Sequence, residues 1–290
     1  MKRFVAMILV LFMGFPIIAN ANSDDTVSIL LLGTDDIGEH AVTGNEEMSR
    51  SDAIFILTLQ PKTKAIKILS IERDYMVELP DDIGENKLGI SSYFGGPQMT
   101  LDAVNELFQL DLTQYAHIDI NNLIKAIDIL GGVDVEIYEE ELDEVNLFID
   151  SIMTYTDLKN VVAGMNHLGG PEAWAFLGVR DNDIQAVESN SARSDRQRRV
   201  MIAFLDMFYK LDFTEVVRFA NEIIPLIKTN LTLSAVLSII KAALTCDLEK
   251  IAYMRTPTGE YQLKRVSMHS VVIVDDMQQE IKQVHQFLYN

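Results

Sequence analysis

Residues 27–35 read VSILLLGTD and residues 50–59 read RSDAIFILTL. Val27–Leu32 is an unbroken apolar run, the pattern of a strand covered on both faces. Ala53–Leu59 is a second such run, and Ala65–Ile71 (AIKILSI) is a third. Pro61-Lys62-Thr63-Lys64 separates the last two by turn chemistry, which predicts a hairpin. Strands buried on both faces need helices above and below them, so these runs set the fold class as α/β.

Outward from this centre, strands and helices interleave. Residues 36–49 are polar and read as an exposed loop. Residues 80–96, with Pro80 and glycines at 84, 89, 95 and 96, read as another. Pro97 opens a helix with Leu101, Val104, Leu107 and Phe108 on one face. Tyr115–Ile120 reads as a strand and Leu123–Leu130 as a helix stopped by Gly131-Gly132. Val133–Ile137 alternates as a strand. Residues 138–160 are acidic and poorly patterned. Pro171–Val179 is helical, 181–193 is loop-like, and Ser194–Leu211 is a strong helix. Amphipathic segments follow at 214–227 and 232–244, then strands at Ile251–Arg255 and Val271–Val274. Asp275 caps a terminal helix ending at Leu288. No linker, repeat or low-complexity tract divides the chain. The expectation is a single α/β/α domain over residues 22–290, a mixed central sheet flanked by helices.

Residues 1–21, MKRFVAMILVLFMGFPIIANA, combine a basic start, a short apolar stretch and an Ala-Asn-Ala end. This predicts a signal peptide, with a short membrane anchor as the alternative, because a spanning helix needs about 20 apolar residues.

The 290 residues carry 24 Lys+Arg against 43 Asp+Glu, a net charge of −19. Without Lys2 and Arg3 the balance is 22 against 43, or −21. A field of this sign argues against nucleic acid as a partner. An apolar fraction of 48% excludes a disordered chain, and a lone Cys246 excludes a disulfide scaffold or a cysteine-rich metal site. An anion can still bind where the scarce arginines gather.

Asp35 follows the first strand and Asp52 precedes the second. If these strands are antiparallel neighbours, the two carboxylates meet and can share a hard cation such as Mg²⁺; otherwise they are ordinary strand-end turn residues. Arg50 lies beside Asp52, Arg73 and Asp74 follow the third strand, and Lys87 sits in the glycine-rich loop. Arg180 comes just past a helix. Residues 193–199 read RSDRQRR. Ser194 and Gln197 have capping-box spacing, which predicts Arg193 and Arg196 at a helix N-terminus, where guanidiniums and free N–H groups bind anions. Arg198 and Arg199 read better as a solvated turn paired with nearby acids. Carboxylates and clustered arginines together suggest a phosphate or diphosphate substrate. The nucleotide-binding loop patterns are absent.

LLLGTD at 30–35, RSD at 50–52, SIERD at 70–74, KLGISSYFGGP at 87–97, ILGGVDV at 129–135, GMNHLGGPEAWAF at 164–176 and RSDRQRR at 193–199 occur in one order. In that order they resemble the LytR-CpsA-Psr cell-wall ligases. The resemblance implies an extracytoplasmic Mg²⁺-dependent phosphotransferase, with Mn²⁺ as the substitute ion, and an apolar pocket for a polyisoprenyl chain. Such an enzyme moves a teichoic acid or capsule-type glycopolymer from a polyisoprenyl-diphosphate carrier at the membrane surface to peptidoglycan. It implies Asp35 and Asp52 as metal residues and Arg50, Arg73, Lys87, Arg180, Arg193 and Gln197 around the diphosphate, with Arg196 adjacent. Asp52, Arg73, Asp74 and Arg193 are the candidate catalytic residues, and Asp74 or one of the metal pair would take the proton. The chain departs from the family pattern at Glu72, where proline is usual, and at Gly178, where arginine is frequent. A lipid-carrier-binding surface protein without catalysis and a lipid-diphosphate hydrolase are the alternatives.

Overall fold

The computed structural model describes residues 26–34, 49–152, 158–179, 186–266 and 269–290. The central sheet is built from β1 (Val27–Thr34), β2 (Ser51–Gln60), β3 (Ala65–Ser70), β6 (Tyr115–Asp119), β9 (Lys228–Thr229) and β10 (Ile251–Arg255). Three two-stranded sheets accompany it: β4 (Met76–Leu79) with β5 (Gly84–Lys87), β7 (Val133–Ile137) with β8 (Gly164–Leu168), and β11 (Tyr261–Val266) with β12 (His269–Val274). The helices are α1 (Ser91–Phe108), α2 (Ile120–Leu130), α3 (Leu142–Ser151), α4 (Gly170–Gly178), α5 (Ala186–Lys210), α6 (Phe213–Ile223), α7 (Leu233–Ala243) and α8 (Met277–Tyr289).

Strand order in the central sheet is β10-β3-β2-β1-β6-β9. β2 runs antiparallel to both β1 and β3, while β6 is parallel to β1 and β10 is parallel to β3. The sheet is therefore mixed, as expected. Alternation along the central strands splits the core in two. Leu30, Leu32, Ile54 and Ile56 pack with Leu101, Val104 and Phe108 of α1 and with Val284 and Leu288 of α8. Phe55, Leu59, Ile66 and Ile68 face the other way, toward Met201, Ile202 and Leu205 of α5 and Ala242 of α7. The apolar stripe of α1 is thus core. A third cluster joins α2, α3, α4 and α6 to β7, β8 and Val200 of α5.

Several boundaries differ from the sequence reading. The glycine-rich 80–96 segment contains β5 and the turn that joins it to β4, which places Asp81, Asp82 and Gly84 at positive φ. Strands of four residues are too short to show periodicity. α1 starts at Ser91 but is broken at Gly95 and Gly96, so its regular part does begin at Pro97. The acidic tract holds α3, which buries only Val145 and Ile149. β11 was not apparent because four of its six residues are exposed. The cap of α8 is Asp276, which accepts from the Gln279 N–H, rather than Asp275. α5 begins at Ala186, well before Ser194. No proline or glycine lies between residues 180 and 210, so nothing in the sequence stops that helix from extending N-terminally.

Gly170 opens α4 against α2, and a Cβ there would lie 2.2 Å from the Ile124 carbonyl oxygen. Backbone cannot yield as a flexible side chain does. Gly170→Ala is expected to cost about 3 kcal/mol, read as a lower urea midpoint at unchanged slope. An unshifted midpoint would show that the two helices have room to separate.

Candidate functional site

The β1–β2 register places Thr34 opposite Ser51, after a bulge between Gly33 and Thr34. The two strands are antiparallel, so the entry of β2 lies beside the exit of β1. Asp52, the second residue of β2, stands at this edge. Asp35, the next residue after β1, lies outside the described residues, as do Arg180, the 1–21 segment and the 36–48 part of the predicted loop.

β3 ends at Ser70, and the turn that follows carries Arg73 and Asp74. Arg73 Nη1 donates to Asp52 Oδ1. Arg193 Nη1 of α5 lies 3.7 Å from the same oxygen. Lys87 Nζ, at the end of β5, is 2.9 Å from Asp74 Oδ1, and Arg73 Nε is 3.9 Å from it. Two carboxylates and three cations from four parts of the chain thus form one cluster. Each of these side chains keeps part of its surface accessible. Arg50 is exposed at the entry to β2.

Backbone contacts hold the segments together. Gly89 N–H donates to the Arg73 carbonyl at 2.8 Å, and Ser92 Oγ donates to the Ser49 carbonyl at 2.7 Å. A Cβ on Gly89 would come within 2.7 Å of the Ser51 carbonyl oxygen and 3.1 Å of Arg73 Cβ. Only glycine lets this loop approach both β2 and the Arg73 turn.

The RSDRQRR stretch behaves differently from its reading. Ser194 and Gln197 lie inside α5, so no capping box forms, and Arg193 and Arg196 do not stand at a helix N-terminus. Arg193 reaches the cluster, but Arg196 turns inward. It is 2% exposed, donates from Nη2 to the Val179 carbonyl at 2.7 Å, and has Nη1 3.6 Å from Glu141. Burial pulls its pKa down. Arg199, expected in a solvated turn, is also buried. It binds both Glu141 oxygens, donates to the Glu136 carbonyl at 2.6 Å, and lies over the Tyr138 and Phe176 rings. The Glu141 carboxylate holds its pKa up despite the burial. Both arginines do pair with a local acid, Asp195, Arg198 at 2.6 Å beside Tyr253 and Arg199 through Nε at 2.9 Å. Gln197 sits half-buried on α5.

At Gly178 a Cβ would meet the Phe148 ring at 3.0 Å. Phe148, stacked edge-on against Trp174, takes the space beside it. His167 is structural, with Asp134 at 2.8 Å and the Gly131 carbonyl at 2.9 Å. His117 lies 3.3 Å from Thr34 Oγ1, and burial lowers its pKa.

Among the described residues no group of three or more His, Cys, Asp and Glu side chains could hold a metal ion. Asp52 offers the hard carboxylate oxygen that Mg²⁺ prefers, and two carboxylates plus phosphate oxygens complete such a site. The donor chemistry fits the ion in kind. Among the described residues the cluster brings three cations to two carboxylates, and its guanidiniums suit a diphosphate held by charge-assisted hydrogen bonds.

The chain matches the LytR_cpsA_psr family over residues 15–286. It is 29% identical over 210 residues to the polyisoprenyl-teichoic acid–peptidoglycan teichoic acid transferase TagV of Bacillus subtilis (strain 168), covering 71% of this chain and 50% of TagV. It is likewise 29% identical over 191 residues to TagU of Halalkalibacterium halodurans, with 63% of this chain and 54% of TagU covered. The chain spans about half the length of the curated relatives it matches. In fold it resembles a protein of Streptococcus agalactiae, with TM-score 0.74 at 21% identity, over 91% of this chain and 88% of that one. TagT with bound octaprenyl pyrophosphate gives TM-score 0.67 at 21% identity, over 94% of each chain.

The contrast between neighbouring arginines is measurable. Arg199→Ala leaves Glu141 without its main partner in a buried setting and should cost about 3–5 kcal/mol. Arg198→Ala, at a partly exposed pair, should cost about 1 kcal/mol or less. Chemical denaturation of the two variants checks this; equal losses would contradict the buried network.

Proposed function

The chain belongs to the LytR_cpsA_psr family, and from that premise we propose that it is a phosphotransferase that attaches a cell-wall glycopolymer to peptidoglycan. The donor is the glycopolymer on a polyisoprenyl-diphosphate carrier. The observation that carries this reading is the cluster at the edge of the sheet: Asp52 between Arg73 and Arg193, with Lys87 and Asp74 beside it. Guanidinium and ammonium donors gathered at one accessible point in a chain of net charge −19 favour an anionic ligand there.

In this reading the non-bridging oxygens of the diphosphate take hydrogen bonds from Arg73, Arg193 and Lys87, with the exposed Arg50 near the entry to β2 as a further candidate. A sugar hydroxyl of peptidoglycan attacks the phosphorus that bears the glycan, in line with the bridging oxygen. The new P–O bond forms as the bond to the bridging oxygen breaks. The hydroxyl proton passes to Asp74 or Asp52, and polyisoprenyl phosphate leaves. Guanidinium groups fixed before the reaction stabilise the charge that moves onto that leaving group. Asp35 and Asp52 would hold Mg²⁺, which supplies further neutralisation of the diphosphate when bound. The apolar pocket that the family resemblance implies would take the carrier's chain, and the teichoic acid or capsule-type polymer would extend from the site.

Export through the 1–21 segment places the protein where peptidoglycan is. Among the described residues no helix is long and apolar enough to cross a membrane.

The test uses the full chain, Mg²⁺, a labelled lipid-diphosphate glycan and peptidoglycan fragments. Label should appear on the acceptor. Asp52→Asn and Arg193→Ala should each slow transfer about 100-fold or more, the cost of removing one fixed electrostatic group. Chelation should abolish transfer and Mg²⁺ should restore it. Release of free sugar phosphate would make the protein a hydrolase. Tight binding without turnover, unaffected by either substitution, would sink the catalytic reading.

A further inference from the structure

The turn that carries Arg73 and Asp74 is held from behind by a buried pair. Glu72 opens this turn, and its side chain is only 7% exposed. Its Oε2 accepts from Arg255 Nη2 at 2.9 Å, and its Oε1 accepts from the backbone N–H of Asp74 at 3.4 Å. The Glu72 carbonyl accepts from Tyr75 N–H at 3.4 Å and closes the turn.

Arg255 is fixed in turn. It is the last residue of β10, in register with Ser70 of β3, and the next residue donates from Thr256 N to the Ser70 carbonyl at 2.9 Å. β10 and β3 are parallel, so both strands deliver their final residues to the same edge of the sheet. One carboxylate therefore ties the Asp74 backbone to the edge strand.

A carboxylate in such a place is costly, because burial pushes the Glu72 pKa up and the Asp74 carboxylate repels it, with Arg255 opposing both. An apolar residue would fill the site without that cost. Where the resemblance leads one to expect proline, a residue that stiffens a turn through its ring, this chain has glutamate that stiffens the same turn through two hydrogen bonds. We propose that Glu72 and Arg255 are positioning residues that hold the 72–75 turn so that Arg73 meets Asp52 and Asp74 meets Lys87. The pair touches no reacting atom. What the turn serves depends on the transferase reading; how it is held does not.

Two measurements on the full chain separate these points. The first is hydrogen–deuterium exchange of the peptide covering 70–76. Glu72→Ala and Arg255→Ala should speed its exchange, while the β1–β2 peptides stay as protected as before. Glu72→Gln keeps one acceptor oxygen in place of two, so it can serve the Asp74 N–H or Arg255 but not both, and its exchange should fall between the parent and Glu72→Ala. The second is transfer from the labelled lipid-diphosphate glycan. Glu72→Ala and Arg255→Ala should each lower kcat about tenfold or more, since a small misplacement of the aligned groups is costly, with KM for the donor changed little. Glu72→Gln should fall between the parent protein and Glu72→Ala. Unchanged exchange of the 70–76 peptide in Glu72→Ala would overturn the proposal. So would equal losses in the Ala and Gln variants that follow only their melting temperatures. A parent protein that neither binds nor transfers the lipid diphosphate would defeat the transferase reading, and the exchange result alone would then decide whether the pair holds the turn.

Discussion

One carboxylate holds two guanidiniums at a single point. Asp52 Oδ1 receives Arg73 and lies 3.7 Å from Arg193. At such separations two like charges repel by about 1–4 kcal/mol, depending on how much water reaches them. Asp52 offsets that repulsion and makes the arrangement tolerable before any ligand arrives. The rest of the fold serves to deliver the three groups. β2 brings Asp52, the turn after β3 brings Arg73, and α5 crosses the opposite face of the sheet to bring Arg193.

This arrangement explains how so acidic a chain accommodates an anion. Charges farther apart than about 8 Å are largely screened at physiological ionic strength. The excess of acids therefore acts at long range only weakly, while the cluster acts at contact distance. Much of the acidity is also committed elsewhere. Glu141 neutralises buried arginines, Glu72 holds a turn, and Asp119 and Asp276 cap helices. Net charge describes the surface of this molecule and says little of its cleft.

Most of the central strands were legible because burial on both faces leaves a run of mainly apolar residues, and the Pro61–Lys64 turn announced the β2–β3 hairpin, whereas the antiparallel β1–β2 pairing stayed one of two options until its register was seen. Asp52, Arg73 and Asp74 could be placed at strand ends for the same reason, whereas Lys87 read as part of a glycine-rich loop because the four residues of β5 are too few to show a pattern. What was not legible depends on contacts between distant residues. Nothing near Arg199 in sequence points to Glu141, 58 positions away. Gly178 reads as a lost arginine until Phe148 is seen beside it. Ser194 reads as a cap because its spacing to Gln197 suits one, and only the extension of α5 back to Ala186 removes that option.

That extension has a consequence for the site. On a helix each residue turns the side chain by about 100°, so residues three apart lie near one another and those five apart diverge. Arg196 and Arg199 therefore follow one inward row, while Arg198 swings out toward Asp195. The inward pair is tied to the Val179 carbonyl, to the Glu136 carbonyl and to Glu141. These bonds fix the rotation of α5 about its own axis. Arg193 lies about one turn before Arg196 on the same rod, so these contacts help to set its direction toward Asp52. Arg196, read from sequence as part of an anion site, and Arg199, read as part of a solvated turn, both serve the site by aiming a neighbour, which is why the division of labour within RSDRQRR is a property of the helix rather than of any one residue.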